Sequence, residues 1–470
     1  MSNRALHIAV DIGSDRVTAA GGRPGRNEPA RALRLGHHTD AASAAVFVVA
    51  DGFLHGDAAA RRSVGSPRGV LRDYTRRIGD DVPMTIAGRA VRAEDAYAGV
   101  VEWALGAAVD TFGHEPAAVT TVVPAAWGPH RRTRLAAALD ASGMPSSLLS
   151  APDAAASFRM NATGGADEVF AVYDLGADSC DVALVRIRAG EAHVLAAASL
   201  TDIGGADFDD AVLAHVLAFV PAARDTGPLA LAALRRECVA AKEALSFDTE
   251  TVIPVVFAGG EHVVRLVRDE FEALIEDDVR ATIAAVSALC TDAGVAVADL
   301  SCVLAFGGSS RIPRVLQLLS EHLAIPVATD PDPQSVLVRG AAASPVPDAR
   351  REPVPAAATG DVTAEAPDPP FATGPTRAVR RAGWAVLGAV MQALTPTPLP
   401  PREPEPGRDP RTAAETPDGA REELPPTPAL APRMSAIPSG TSDTPQTSPP
   451  PSSPIVTIPA RSRKHSRAGV

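Results

Sequence analysis

The chain has 470 residues, and its 44 lysines and arginines stand against 56 aspartates and glutamates, which gives a formal net charge of −12. This acidic balance excludes a dominant nucleic-acid surface, because contact with phosphate backbones needs a strongly basic face. The length is too great for one domain and indicates about three units, or two units and a tail. Four cysteines without a C-x-x-C pair predict a reduced, cytoplasmic compartment.

The N-terminal stretch HIAVDIGSDRVTAA predicts a strand, a tight turn and a return strand, with Asp11, Gly13 and Ser14 where the first strand ends. An aspartate there can hold a hard cation such as Mg²⁺, directly or through water. A glycine turn lets backbone N–H groups approach a phosphate. A single D-x-G turn is a weak signal, because both residues also favour hairpin turns for backbone reasons alone.

Alternating strands and helices follow this hairpin. We predict two strands and two helices from the apolar periodicity: strands over 43–49 and 119–123, helices over 94–112 and 130–142. The second helix carries Arg131, Arg132 and Arg134, which by default form a solvated face.

The same hairpin recurs at residues 170–188, FAVYDLGADSCDVALVRIR, with Asp174 and Gly176 at its turn. The elements predicted after it repeat the alternation: strands at 192–198, 251–257, 263–267 and 302–306, a loop at 202–209 that leads into a helix, and further helices at 229–246, 269–290 and 311–322. The last of these strands breaks into a Gly-Gly-Ser turn before a helix, which favours anionic or polar ligands.

This repetition predicts an α/β fold of two similar lobes, residues 1–165 and 166–343, with a ligand cleft between them. Two D-x-G hairpins that face each other would hold a polyphosphate and its metal from both sides. ATP with Mg²⁺ is the ligand that we expect in this cleft.

Residues 344–470 are rich in proline, serine and alanine, and we expect this tail to be disordered because it cannot bury enough apolar area. One apolar segment, 382–394, follows three arginines. As a helix it would span about 20 Å, short of the roughly 30 Å of a bilayer core. Segment 377–394 could lie on a membrane surface, dock in a partner's groove or pack on its own globular body.

Six motifs resemble, in order and spacing, the nucleotide-binding domain of the seventy-kilodalton heat-shock chaperones, within the actin-like ATPase superfamily. They are DIGS, VPAAWGPHRR, VYDLG, IGGADFDDAV, AKEALS and AFGGSSRIPRVLQLL. The resemblance covers residues 6 to about 343 and implies a duplicated, bilobed ATPase fold with nucleotide in the cleft.

The resemblance also implies a role for each matching position. Asp11 and Asp174 would hold the Mg²⁺ shell and, with Ser179 beside the terminal phosphate, form the catalytic set. ATP or ADP would be contacted by Gly13, Ser14, Gly176, Gly204, Gly205, Lys242, Ser246, Gly307, Gly308, Ser309 and Arg311. Pro124 and Arg132 match the family's proline switch and its coupling arginine.

Several positions depart from the family pattern. Thr75, followed by Arg76, occupies the place of the lysine near the attacking water. The family's N-E-P-T reads Ser-Ala-Pro-Asp at residues 150–153, and the phosphate turns gain Asp15 and Asp178. We therefore expect slow or absent hydrolysis, because phosphoryl transfer depends on electrostatic positioning. The family's β-rich peptide-binding domain also has no strand-rich counterpart in the stretch after residue 343.

Two function classes remain open. The first is an ATP-binding chaperone-like protein that hydrolyses ATP slowly. The second is a catalytically inactive module in which nucleotide locks the lobes while the tail recruits a protein partner or a membrane surface. A carbohydrate kinase or a filament-forming actin relative is a third, less favoured class, since the GGSSRIP and VPA motifs point elsewhere.

Overall fold

The computed structural model describes residues 6–24, 28–37, 39–50, 52–144, 146–225, 227–257, 259–345 and 456–458. These residues all belong to one compact unit. The apolar segment 382–394 and most of the predicted disordered tail lie outside the described residues. Within the described part, no helix is both long enough and apolar enough to cross a bilayer.

The first lobe is built on a mixed six-stranded sheet, β11-β10-β1-β2-β3, with β4 paired to β2. Its strands are β1 His7–Ile12, β2 Arg16–Gly22, β3 Arg31–Ala32, β4 Ala42–Ser43, β10 Ala118–Val123 and β11 Ser146–Ser150. Smaller sheets contain β5 Val46–Val49, β6 Gly52–His55, β7 Val70–Leu71, β8 Met84–Ile86 and β9 Arg89–Val91. The helices are α1 Gly56–Gly65, α2 Ala93–Phe112, α3 Pro129–Ala141 and α4 Ala151–Thr163.

The second lobe has a sheet of order β14-β13-β12-β17-β18-β19 and a separate hairpin, β15-β16. Its strands are β12 Glu168–Leu175, β13 Cys180–Arg188, β14 Glu191–Leu200, β15 Glu250–Phe257, β16 Gly260–Val267, β17 Val303–Phe306, β18 Val327–Thr329 and β19 Val456–Ile458. The helices are α5 Gly205–Phe219, α6 Pro228–Ala244, α7 Arg268–Asp292, α8 Pro313–Leu323 and α9 Val336–Ala343. Strand β19 pairs antiparallel with β18, so three residues of the predicted tail form a strand.

The two main sheets repeat one topology. β1 pairs antiparallel with β2 and parallel with β10, and β12 pairs in the same way with β13 and β17. In each half, a helix then leads to the next parallel strand, α3 to β11 and α8 to β18. The α/β fold of two duplicated halves, predicted from the sequence, is confirmed.

Three large apolar cores and one small cluster around Phe47 hold the described elements together. One fills the first lobe, and another fills the second lobe between its sheet and helices α5 to α8. The third joins residues of both sheets around α4 and α9. It is rich in alanine, and α9 contacts α4 and the strands β1 and β2. The small side chains let these two helices pack closely between the lobes.

Candidate functional site

The two predicted turns have the same backbone geometry. Gly13 N–H donates to the carbonyl of Arg16 at 2.9 Å, and Gly176 N–H donates to that of Ser179 at 2.9 Å. A Cβ on Gly13 would lie 3.4 Å from the Arg16 carbonyl oxygen, and a Cβ on Gly176 would lie 3.4 Å from that of Ser179. The duplicated hairpins are therefore equivalent turns.

Asp11 and Asp174 occupy the penultimate positions of β1 and β12, one residue before each turn. Burial raises the pKa of Asp11 to about 7. The pKa of Asp174 is raised well above its usual value by burial first, then by the charges of Asp181 and Asp11. The charge of Asp11, from the other half of the fold, thus contributes to the raised pKa of Asp174, after burial and Asp181.

This pair of carboxylates fits a Mg²⁺ that takes its other ligands from water and phosphate. No cluster of three or more metal-ligating side chains occurs among the described residues. Mg²⁺ commonly uses one or two carboxylates and keeps several waters and phosphate oxygens. A cation between Asp11 and Asp174 would offset the repulsion that raises the pKa of Asp174.

Two glycine-containing loops contact the second turn, residues 176–179: the loop before α5 and the loop after β17. Gly205 N–H donates to the carbonyl of Gly176 at 3.0 Å. A Cβ on Gly204 would meet the carbonyl oxygen of Ala177 at 2.5 Å, and one on Gly205 would meet Ser309 Oγ at 2.5 Å. These contacts leave no room for side chains, so only glycine allows the loop before α5 to approach the turn.

The loop between β17 and α8 approaches from the other side. Gly307 has φ +87°, and a Cβ there would lie 2.5 Å from Asp174 Oδ1. Ser309 Oγ donates to the carbonyl of Gly176 at 3.0 Å. Gly308 lies beside Gln334. The structure therefore brings predicted residues from three separate segments around Asp174.

Lys242 and Arg311 extend this site along the cleft. Lys242 Nζ lies 2.8 Å from Asp209 Oδ1 and donates to the carbonyl of Gly205 at 2.8 Å, which ties α6 to the glycine loop. Arg311 pairs with Asp332 at 3.2 Å and lines a cavity of about 160 Å³ shared with Thr18 of the first lobe. Ser246 lies half-buried just after α6, and Ser14 lies half-buried in the first turn.

Sequence analysis missed Asp181, which lies directly opposite Asp174 in the β12–β13 ladder. Its carboxylate accepts a hydrogen bond from Ser179 Oγ at 2.9 Å, and burial raises its pKa. The hairpin register would have revealed this neighbour, because residues in register share one face of the sheet.

The model of the Hsp70 protein family matches residues 73–346, more than half of the chain. The chain belongs to the Hsp70 family. This is a family of ATP-binding chaperones, and the duplicated fold described above is its ATPase fold.

The chain is similar to chaperone proteins described as HscA homologs. The protein from Acidithiobacillus ferrooxidans is 32% identical over 236 residues, which cover 50% of this chain and 38% of that protein. The one from Burkholderia thailandensis is 32% identical over 239 residues, with the same coverage. The one from Pseudomonas putida is 28% identical over 366 residues, covering 72% of this chain and 57% of that protein. The matched regions span well under two thirds of these relatives.

Each acidic residue gained in the phosphate turns of this Hsp70 chain has an arginine partner. Arg16 Nε lies 2.9 Å from Asp15 Oδ2, and Arg76 Nη2 lies 3.2 Å from Asp178 Oδ2. Arg16 also reaches Glu243 on α6, at 3.4 Å. Both arginines belong to the first lobe, whereas Glu243 and Asp178 belong to the second. Each arginine therefore makes an ion pair between the lobes.

The other departures from the Hsp70 pattern are also resolved. Thr75 is buried, and it is uncharged. Asp153 forms a hydrogen bond with Ser150 Oγ at the start of α4, and burial raises its pKa while Arg132 lowers it. A half-buried carboxylate thus lies two residues after the glutamate position of the family motif. Arg134 is not the solvated residue that the sequence predicts, since it pairs with buried Glu94 at 3.4 Å.

The pH dependence of stability provides a test of the glycine loop at α5. Burial raises the pKa of Asp207 to about 6, and Asp210, Asp278 and Asp178 add to the shift. Its carboxylate accepts from Gly204 N–H at 2.8 Å. Because the folded protein holds this proton more tightly than the unfolded chain, Asp207 lowers stability as the pH rises from about 4 through about 6.

We expect Asp207→Asn to remove this contribution. The free energy of unfolding of the variant relative to wild type should rise by roughly 1–3 kcal/mol between pH 4 and pH 7. Urea unfolding at both pH values measures it. The control is Glu270→Gln, which alters the corresponding capping carboxylate of α7. If the free energy of unfolding of Glu270→Gln changed equally between pH 4 and pH 7, the effect would come from the loss of helix capping and not from the raised pKa of Asp207.

Proposed function

We propose that this chain binds ATP with Mg²⁺ in the cleft between its lobes and acts as a chaperone-like protein with slow ATP hydrolysis. The proposal is supported by the two equivalent turns, one after the first strand of each half, and by the ion pairs Arg16–Glu243 and Arg76–Asp178, which join the lobes beside them. The names of the curated relatives support the chaperone-like role. The relatives are longer than the matched region, so their whole activity is not carried over.

The residues of the cleft have separable tasks in this proposal. Asp11 and Asp174 hold the cation, and the backbone of the two turns and of the glycine loop approaches the phosphates. Lys242 fixes the glycine loop through the carbonyl of Gly205. Bound Mg²⁺ would neutralise part of the phosphate charge.

Slow hydrolysis follows from the missing cation at Thr75. This side chain is neutral and buried, and removal of a cation near the transferring phosphoryl group typically costs orders of magnitude in rate. Ser179, the predicted hydroxyl beside the terminal phosphate, donates to Asp181, which fixes the direction of its own proton.

Restoring the lysine tests this proposal. We expect Thr75→Lys to increase the rate of phosphate release from ATP by about tenfold or more. Single-turnover phosphate release by the full chain is the measurement. Thr85→Lys, which adds the same charge at an exposed position of the same lobe, is the control and should leave the rate unchanged.

A nucleotide-gated binding module without catalysis is the second candidate function. Two ion pairs already connect the lobes at the cleft, Arg16 with Glu243 and Arg76 with Asp178. If Thr75→Lys binds ATP as wild type does and gains no turnover, the slow enzyme is rejected and the module is favoured. Recruitment of a protein partner or a membrane through residues 377–394, and a cytoplasmic location, are proposals from the sequence alone.

A further inference from the structure

We propose that Arg76 recognises the terminal phosphate of the bound nucleotide, and that Asp178 is the positioning residue that holds its guanidinium at the phosphate turn. This inference rests on the proposed function, because it concerns the nucleotide of the same cleft. It makes Arg76 the residue by which the chain distinguishes ATP from ADP.

The guanidinium of Arg76 crosses from one lobe to the other. Arg76 lies on the short 3₁₀ helix Tyr74–Arg77 of the first lobe. Its Nη2 lies 3.3 Å from the carbonyl oxygen of Asp178 and 3.2 Å from its Oδ2. Asp178 belongs to the turn between β12 and β13, against which Gly204 packs. A positive charge therefore lies directly beside the predicted phosphate-binding turn.

Arg76 remains accessible to a ligand while it contacts Asp178. Its side chain is 48% exposed, whereas that of Asp178 is 19% exposed. Both contacts use Nη2, and a guanidinium has five N–H donors arranged as a fork that matches phosphate oxygens. The ion pair can persist when phosphate oxygens accept from the other donors.

The other cations of the cleft have different partners. Lys242 contacts Asp209, Arg235 pairs with Asp210 at 2.5 Å, and Arg16 is shared between two carboxylates. Thr75 brings no charge. Arg16 contacts Asp15 in the first turn, whereas Arg76 contacts Asp178 in the second turn.

The charge of Asp178 makes the two residues interdependent. A lone carboxylate in this turn would repel a phosphate at close range. Paired with Arg76, it contributes no net charge and fixes the orientation of a long, flexible side chain. The aspartate gained in the turn is therefore paired with the arginine that follows Thr75.

Calorimetric titration of the full chain with Mg·ATP and Mg·ADP tests the inference. We expect Arg76→Ala to weaken ATP binding by about tenfold or more and ADP binding by less than about threefold, since a charge-assisted hydrogen bond to the terminal phosphate is lost. The control is Arg77→Ala. Arg77 lies on the same 3₁₀ helix, is 41% exposed and pairs with Asp80 at 2.8 Å. Arg77→Ala should leave the affinities for Mg·ATP and Mg·ADP unchanged.

Asp178→Asn, alone and combined with Arg76→Ala, tests the positioning role. In the Arg76→Ala background it should restore part of the ATP affinity, because the unpaired carboxylate is gone. Failure of this rescue would reject the role of Asp178. If Arg76→Ala weakened ATP and ADP binding equally, Arg76 would only connect the lobes and would not recognise the terminal phosphate. If its affinities equalled those of Arg77→Ala, Arg76 would have no role in nucleotide binding. Absence of binding by wild type would overturn the proposed function as well.

Discussion

Asp174→Asn should reduce the affinity for Mg·ATP by at least about a hundredfold, since even the loss of an outer-shell partner of a metal typically costs ten- to a hundredfold. Asparagine has nearly the same shape as aspartate but lacks the negative charge that a hard cation requires. Titration calorimetry of the full chain measures the affinity. Asp167→Asn is the control, because Asp167 is an exposed aspartate of the second lobe that accepts from Ala189 N–H at 2.8 Å.

The same substitution should not destabilise the unliganded protein. Burial raises the pKa of Asp174 well above its usual value, so its ionised form is disfavoured in the folded state. At pH 7 the neutral asparagine removes this unfavourable contribution, and the free energy of unfolding should stay equal or increase. Lost binding together with lost stability would indicate a structural role and contradict the assignment, as would unchanged affinity.

Gly340→Ala should destabilise the protein by about 2–4 kcal/mol, since overpacking a tight contact typically costs 1–3 kcal/mol and here the obstacle includes rigid backbone. Gly340 lies in α9, and a Cβ there would collide with the carbonyl oxygen of Ala154 and with Phe158 in α4. The added methyl group would push apart α4 and α9, the two helices that form the core between the lobes. Denaturant unfolding measures the change.

Gly106→Ala is the matched control for this prediction. Gly106 lies in α2, and a Cβ there would meet nothing within 4 Å. Alanine should stabilise the helix by about 0.5–1 kcal/mol through its propensity. If both glycine substitutions stabilised the protein, the tight contact of α9 with α4 would be wrong.

Elements with strong local signals were predicted well from the sequence. The two D-x-G hairpins were predicted because alternating apolar strands flank each turn. The helix after the Gly-Gly-Ser turn begins at Pro313, where proline is favoured because the first turn does not need its N–H. By contrast, the predicted loop at 202–209 becomes α5 from Gly205 onward, because tertiary contacts of that glycine outweigh its poor helix propensity.

The side-chain partners of the predicted site residues could not be predicted from the sequence. The resemblance placed Lys242 in the cleft, but its ion pair with Asp209 depends on how α6 packs against α5. The sequence predicts a solvated Arg134, because its own helix gives no sign of Glu94, which approaches from α2. Contacts between residues far apart in the chain leave no periodic pattern in the sequence, so such pairs require the three-dimensional structure.

Helix α9 connects the two halves of the ATPase fold. Although it follows the second lobe in the chain, it packs on α4 and on β1 and β2 of the first lobe. A Cβ on Gly22 of β2 would lie 2.5 Å from the carbonyl oxygen of Ala342 in α9. Any rotation of one half against the other must therefore displace or strain this helix. The angle between the two halves is therefore mechanically coupled to the packing of α9.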